Sequence, residues 1–179
     1  MQQTHLKDYI LKFYKKYIKH LLFLIIFLLI NSCYSFTGGT IPSHLKTLKI
    51  EPVIDNSNFG NPEYKIELER NLISKFQNDN SFELAEGNNG NAKITVTITS
   101  INETTQTIGT NELETERKIT LNATTKYYDN INNKQIWEKT FSSYQLFDIR
   151  NVTTAREEAI KTILLQLSED IMLAVVSGW

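Results

Sequence analysis

The chain predicts an α+β fold, a two-layer sandwich with two amphipathic helices on one face of a mainly antiparallel or mixed sheet of four to five strands. Three observations lead there. Residues 92–101 (AKITVTITSI) and 117–128 (RKITLNATTKYY) alternate apolar and polar at period 2, the mark of strands covered on one face. Two stretches, from 61 to 78 and from 154 onward, carry apolar residues at helical spacing behind start signals. No internal repeat or long low-complexity tract is present.

Taken in order, Leu45–Ile50 reads as a short strand with Leu48 and Ile50 on one side, ended by Pro52. Residues 55–60 (DNSNFG) read as a loop. Asn61-Pro62-Glu63 is a helix start: a capping side chain, a proline where its missing N–H does no harm, and an acid near the positive helix end. That helix runs to about Asn78 and buries Leu68, Leu72, Ile73 and Phe76, and Asn78-Asp79-Asn80 stops it. A weak strand, Phe82–Leu84, precedes the turn-rich spacer 86–91. In 92–101, Ile94, Val96 and Ile98 point one way and Thr95, Thr97 and Thr99 the other. After a polar tip at Gly109-Thr110-Asn111, Ile119, Leu121, Ala123 and Tyr127 oppose Lys118, Thr120, Asn122 and Lys126. Asp129–Asn133 is a hairpin loop, and Gln135–Tyr144 a strand with Trp137, Lys139 and Phe141 on one side. Thr154-x-x-Glu157 has the form of a capping box. The helix it opens aligns Ile160, Ile163, Leu164, Leu167, Ile171, Ala174 and Val175. The face of the sheet away from the helices, rich in Thr, Asn and Lys, is then exposed or reserved for a partner.

Upstream of this domain lies a different kind of segment. Cys33 is the only cysteine, and it follows the apolar run Leu21–Ile30, closed by Asn31 and Ser32. Lys7, Lys12, Lys15, Lys16 and Lys19 precede the run against Asp8 alone, as in a secretory signal peptide. Ten apolar residues are too few to cross ~30 Å of hydrocarbon, which takes about 20, and lengthening the run takes in Lys15, Lys16 and Lys19, so an uncleaved anchor is the poorer alternative. A cysteine at the cut is the bacterial lipoprotein pattern, so Cys33 is expected to carry a diacylglyceryl group on its thiol and an N-acyl chain. Each buried CH₂ contributes ~0.8 kcal/mol, and two or more chains anchor stably. The expected organisation is a removed signal peptide, 1–32, a lipid-anchored tether, 33–44, and one domain, 45–179. Losing five of 19 basic and one of 20 acidic residues leaves 14 against 19, a net of −5. Such a domain is a poor nucleic-acid binder and cannot use its net charge to reach a membrane. With its one thiol acylated it has no disulfide.

Little of the chain points to catalysis. His44, beyond the signal peptide the lone histidine, reads as a solvated tether residue. No Cys/His cluster holds zinc, and no glycine-rich loop leads from a strand into a helix. Glu157-Glu158 and Glu169-Asp170 read as a solvated helix face, and Glu112-Glu114-Glu116 lacks the spacing of a calcium loop. The expectation is a protein that is not an enzyme and needs no metal or cofactor. Arg117 and Lys118 begin a long strand at one sheet end, where Lys139 could join them. They are either edge charges that discourage aggregation or contacts for an anionic ligand.

The order Cys33-Tyr34-Ser35-Phe36-Thr37-Gly38, Ile41-Pro42 and Leu45-Lys46-Thr47-Leu48 resembles the start of the LptE lipoproteins, in their Bacteroidota-type branch. The resemblance continues through Asn61-Pro62, Leu72 with Lys75-Phe76, Phe141-Ser142-x-Tyr144, and Ile160 with Glu169-Asp170-Ile171. It implies a non-catalytic lipoprotein of the outer membrane, facing the periplasm or set in a barrel lumen. Such a protein plugs and assembles the LptD β-barrel and helps deliver lipopolysaccharide to the outer leaflet. On this resemblance Arg117 and Lys118 are the candidate contacts for lipid A phosphates. A different lipoprotein adaptor, such as a pilotin for a secretion pore, is the rival reading. A lipid-anchored enzyme is disfavoured by the missing catalytic set.

Overall fold

The computed structural model describes residues 41–87, 89–108 and 114–177. Its elements are β1 (Thr47–Ile50), β2 (Ile54–Asp55), α1 (Glu63–Asp79), β3 (Glu83–Leu84), β4 (Ala92–Ile108), β5 (Glu114–Asp129), β6 (Lys134–Asp148), a 3₁₀ turn (Ile149–Asn151) and α2 (Val152–Ser177). Residues 1–32, which read as a signal segment in the sequence, Cys33, residues 34–40, the tip 109–111, Glu112 and Gly178-Trp179 lie outside the described residues.

The fold is α+β, with both helices on one face of a mixed six-stranded sheet of order β3-β1-β4-β5-β6, β2 pairing with β4 beyond β1. Strands β4, β5 and β6 form an antiparallel meander, while β1 and β2 run parallel to β4 and β3 parallel to β1. Pro52 interrupts the chain running beside β4 without ending its pairing there. Glu51 N–H donates to the Ile94 carbonyl at 3.0 Å, and Asn56 N–H to that of Ile98 at 2.9 Å. Between them Pro52 has no N–H to offer, so the chain steps out and returns as β2. Asp55, expected in a loop, is therefore a strand residue, and the turn follows at Asn58 (φ 59°) and Gly60 (φ 87°).

All three long strands exceed the alternating segments that announce them. Residues 102–108 (NETTQTI) carry no apolar alternation, yet Asn102, Thr104 and Thr107 pair with Thr120, Lys118 and Glu116. Once the hairpin registers, each backbone finds its partner whatever the side chain. The ladder slips between Ile98 and Ser100, which makes Thr99 the extra residue of a bulge. Before it, Ala92, Ile94, Val96 and Ile98 face the helices and are buried; after it the parity changes and Ile101 takes the inward place. On β5, Ile119, Leu121, Ala123 and Tyr127 are buried as their spacing requires, with Thr125 among them.

Asn61 starts α1: its Oδ1 accepts from Glu63 N–H at 3.0 Å. The buried stripe is Tyr64, Leu68, Leu72 and Phe76, one residue every fourth position. Ile73, expected inside, is half-buried, and Tyr64 takes its share of the core because a spacing of four keeps a narrow stripe in line. Asn80 ends the helix in the left-handed region, φ 58°. On α2 all seven expected residues are buried, with Ala159, Ser168 and Met172. Its capping box does not form. The helix begins two residues earlier, at Val152, out of a 3₁₀ turn that Asp148 caps by accepting from Arg150 N–H at 2.7 Å. Glu157, freed of that task, accepts from Tyr64 Oη at 2.9 Å, and Glu169 meets Lys75. Two carboxylates expected to be solvated thus tie α2 to α1.

Leu164 is fully buried where α2 meets the core. Truncation to alanine is expected to cost about 2–5 kcal/mol, measured as a shift of the urea midpoint. A cost below about 1 kcal/mol would mean the helix layer is not packed as described.

Candidate functional site

The face of the sheet turned away from the helices is an array of cross-strand rows. Thr97, Thr124 and Thr140 make one row, where Thr124 Oγ1 and Thr140 Oγ1 lie 2.9 Å apart. Ser100, Asn122 and Ser142 make the next, Asn122 Nδ2 donating to Ser100 Oγ at 2.8 Å. Thr95, Lys126 and Glu138 follow, the last two an ion pair at 3.6 Å. At one end Lys93 Nζ sits 5.1 Å from the centroid of Tyr128, and towards the other Lys118 Nζ sits 4.3 Å from that of Tyr144. Tyr144 and its neighbour on the same face, Leu146, are about half exposed. No apolar layer covers this face among the described residues.

The basic residues singled out from the sequence do not form one patch. Lys118 is on the open face, beside Leu146 and Tyr144. Arg117, one residue away, points to the helix side, where its Nη1 lies 3.4 Å from Glu103 Oε2. Arg156 of α2 makes two hydrogen bonds to the same carboxylate and lies 6.0 Å from the Phe147 ring. Lys139 is on the helix side too, 5.2 Å from the Trp137 ring, and pairs with Thr125, eight residues along β5 from Arg117. The period of 2 that separates faces also separates neighbours, which is why a sequence cluster splits. Glu103 was missed because it faces inward only after the bulge at Thr99; with unbroken alternation it would face solvent.

The hairpin end of the sheet holds a second group. His44 Nε2 lies 2.6 Å from Asp129 Oδ2, and Asn132 Nδ2 lies 2.8 Å from that oxygen. Asp129 Oδ1 accepts from the N–H of Ile131 and of Asn132, both at 2.9 Å. His44, expected as a solvated residue, therefore clasps residues 41–44 onto the β5–β6 hairpin, and Ile41 packs against the core. Burial works to raise the Asp129 pKa. The Asn132 N–H, His44 and the Asn132 amide outweigh it and hold the carboxyl at about 2. Nearby, burial with the Asp129 charge pushes the Tyr127 hydroxyl up to about 12. Among the described residues no cluster of His, Cys, Asp and Glu could hold a metal, and no helix is long and apolar enough to cross a membrane.

A family model described as "LptE: Lipopolysaccharide-assembly" matches residues 45–175. No curated protein matches the chain. Among solved structures, a Xanthomonas campestris protein superposes with a TM-score of 0.52 at 12% identity, over 78% of this chain and 91% of that one. The rare lipoprotein B from Shewanella oneidensis gives 0.50 at 12%, over 74% and 96%. At such identities these show a shared fold.

The clasp makes a pH prediction. The folded-state pKa of Asp129 lies below its unfolded value, so its contribution is fully present above the usual carboxylate range. It is lost as pH falls from about 4 towards about 2. Asp129→Asn is expected to lower the melting temperature at neutral pH and to flatten the stability profile in that window. A variant with an unchanged neutral melting temperature would contradict the clasp.

Proposed function

The chain belongs to the LptE family, and we propose that it is a non-catalytic outer-membrane lipoprotein that plugs and assembles the LptD β-barrel and helps deliver lipopolysaccharide to the outer leaflet. The family match covers nearly all of the described domain and supports a part in lipopolysaccharide assembly. The barrel partnership, removal of residues 1–32 and acylation of Cys33 belong to the proposal.

The observation that carries the partnership is the open face. An antiparallel sheet can leave one face to water, but the middle of this one is built of Thr, Ser and Asn rows at three-strand width, with Lys126 paired to Glu138 and the lysines Lys93 and Lys118 towards its two ends. The interior of a large β-barrel is polar and lined by alternating side chains. Rows of short donors and acceptors can hydrogen-bond to it without burying unpaired charge. Lys118 stands at the rim of that face, next to the partly exposed Tyr144 and Leu146. One cation with adjacent apolar surface suits a phosphate attached to acyl chains. Arg117 would approach the same ligand from the helix side, its charge partly met by Glu103.

Purification of the acylated protein in mild detergent is expected to bring down a stoichiometric large outer-membrane barrel of the LptD type; recovery with a secretion pore instead would overturn the proposal. Lys118→Ala is expected to weaken lipopolysaccharide binding about tenfold, the loss of one charge-assisted hydrogen bond, with the melting temperature unchanged. Arg117→Ala is expected to lower stability as well, because it disturbs the site at Glu103. Unchanged binding in both variants would remove these residues as contacts.

A further inference from the structure

We infer that the hairpin end of the sheet carries an anionic-headgroup site, a cleft that seats the phosphates of the bilayer surface beneath the domain. The inference rests on the proposed acylation of Cys33, and it concerns the end of the molecule opposite Lys118. The cleft is open to solvent, offers about 610 Å³, and is lined by Lys49, Lys93, Asn91, Asn130, Ile131 and a single carboxylate, Glu51. Lys49 and Lys93 are register partners on β1 and β4, so their side chains leave the same face side by side. Neither has an ion-pair partner among the described residues. Two adjacent like charges on neighbouring strands oppose pairing, and a bound anion removes that repulsion.

The backbone fixes the cleft's shape. Asn91 Oδ1 accepts from the N–H of Thr47 at 3.2 Å, Asn91 N–H donates to Thr47 Oγ1 at 2.8 Å, and Asn130 Nδ2 donates to the Gly90 carbonyl at 2.8 Å. Gly90 lies flat on β1, since a Cβ there would meet Lys49 N at 2.8 Å. Orientation comes from the clasp. His44 on Asp129 makes the chain enter at this end, and the link from Cys33 to Ile41 reaches at most about 29 Å. The opposite end of β4 lies sixteen residues away, roughly 50 Å at strand rise. An acidic domain held beside an anionic surface is repelled except where cations meet it, and attraction fades within about 8 Å at physiological salt. Lys49 and Lys93, with the half-exposed Ile131 in the same cleft, are the groups placed to make that contact.

The test reconstitutes the full acylated chain into phosphatidylcholine vesicles with or without phosphatidylglycerol, free of lipopolysaccharide and of any barrel. Lysines are then labelled with a water-soluble amine reagent and read by mass spectrometry. Lys49 and Lys93 are expected to be protected several-fold only with phosphatidylglycerol, the protection fading with added salt, while Lys118 labels equally in both. Equal labelling of Lys49 and Lys93 in the two vesicles would overturn the inference. So would protection by inorganic phosphate in the absence of vesicles, which would make the ligand a free anion. Neither result depends on whether a barrel is recovered with the protein.

Discussion

The β4–β5 ladder, with the bulge at Thr99 within it, is the constraint on which the rest depends. It sets the register that puts Ile94, Val96 and Ile98 opposite Tyr127, Thr125 and Ala123 on the helix side. That creates one continuous apolar surface, and both helices are held because they cover it. The bulge then re-aims the strand, so that Ile101 extends the core and Glu103 follows it inward. A carboxylate turned toward a helix layer needs cations, and Arg117 and Arg156 supply them from β5 and α2. One extra backbone residue therefore decides where the core stops and an ionic junction starts.

The same ladder divides the molecule's work between two faces. The buried apolar side chains go to the helix side, which leaves rows of hydroxyl and amide groups on the other, with the half-exposed Tyr144 and Leu146 at one end. Such a face contributes little to folding, since exposed hydroxyl pairs exchange water bonds for one another. Its rows run past the core: β4 continues beyond Ile101 with Asn102, Thr104 and Thr105 exposed, and β5 reaches Ile119 through the partly buried Glu116, Arg117 and Lys118. Length beyond the core and uncharged polar rows through the middle of the face suit a surface that lies against a polar wall.

Much of this was legible in the residues themselves. Alternation in 92–101 and 117–128 announced both faces, and the stripe of α2 was complete before any packing was known. Other features depend on distance in space. Nothing local marks Ile54 and Asp55 as a strand; they pair because β4 runs on past Pro52. His44 looks like a solvated residue until Asp129, 85 positions later, folds back to it. Glu157 fits a capping box, but Tyr64 of the other helix and the 3₁₀ turn at Asp148 claim the site first. Arg117 and Lys118 look like one cluster because they are adjacent, and a strand sends adjacent residues apart. Membership of the LptE family was legible in the Tyr-Ser-Phe-Thr-Gly start and in scattered helix and strand residues.

The central claim is that the open sheet face meets the barrel. Site-specific photo-crosslinking in native membranes tests it most directly, with the reactive residue placed in turn at Asn122 and Thr140 on the open face and at Lys161 on the outer side of α2. Crosslinks from Asn122 and Thr140 to one large outer-membrane barrel, and none from Lys161, are the predicted result. Crosslinks from Lys161 alone, or from no position, would contradict it.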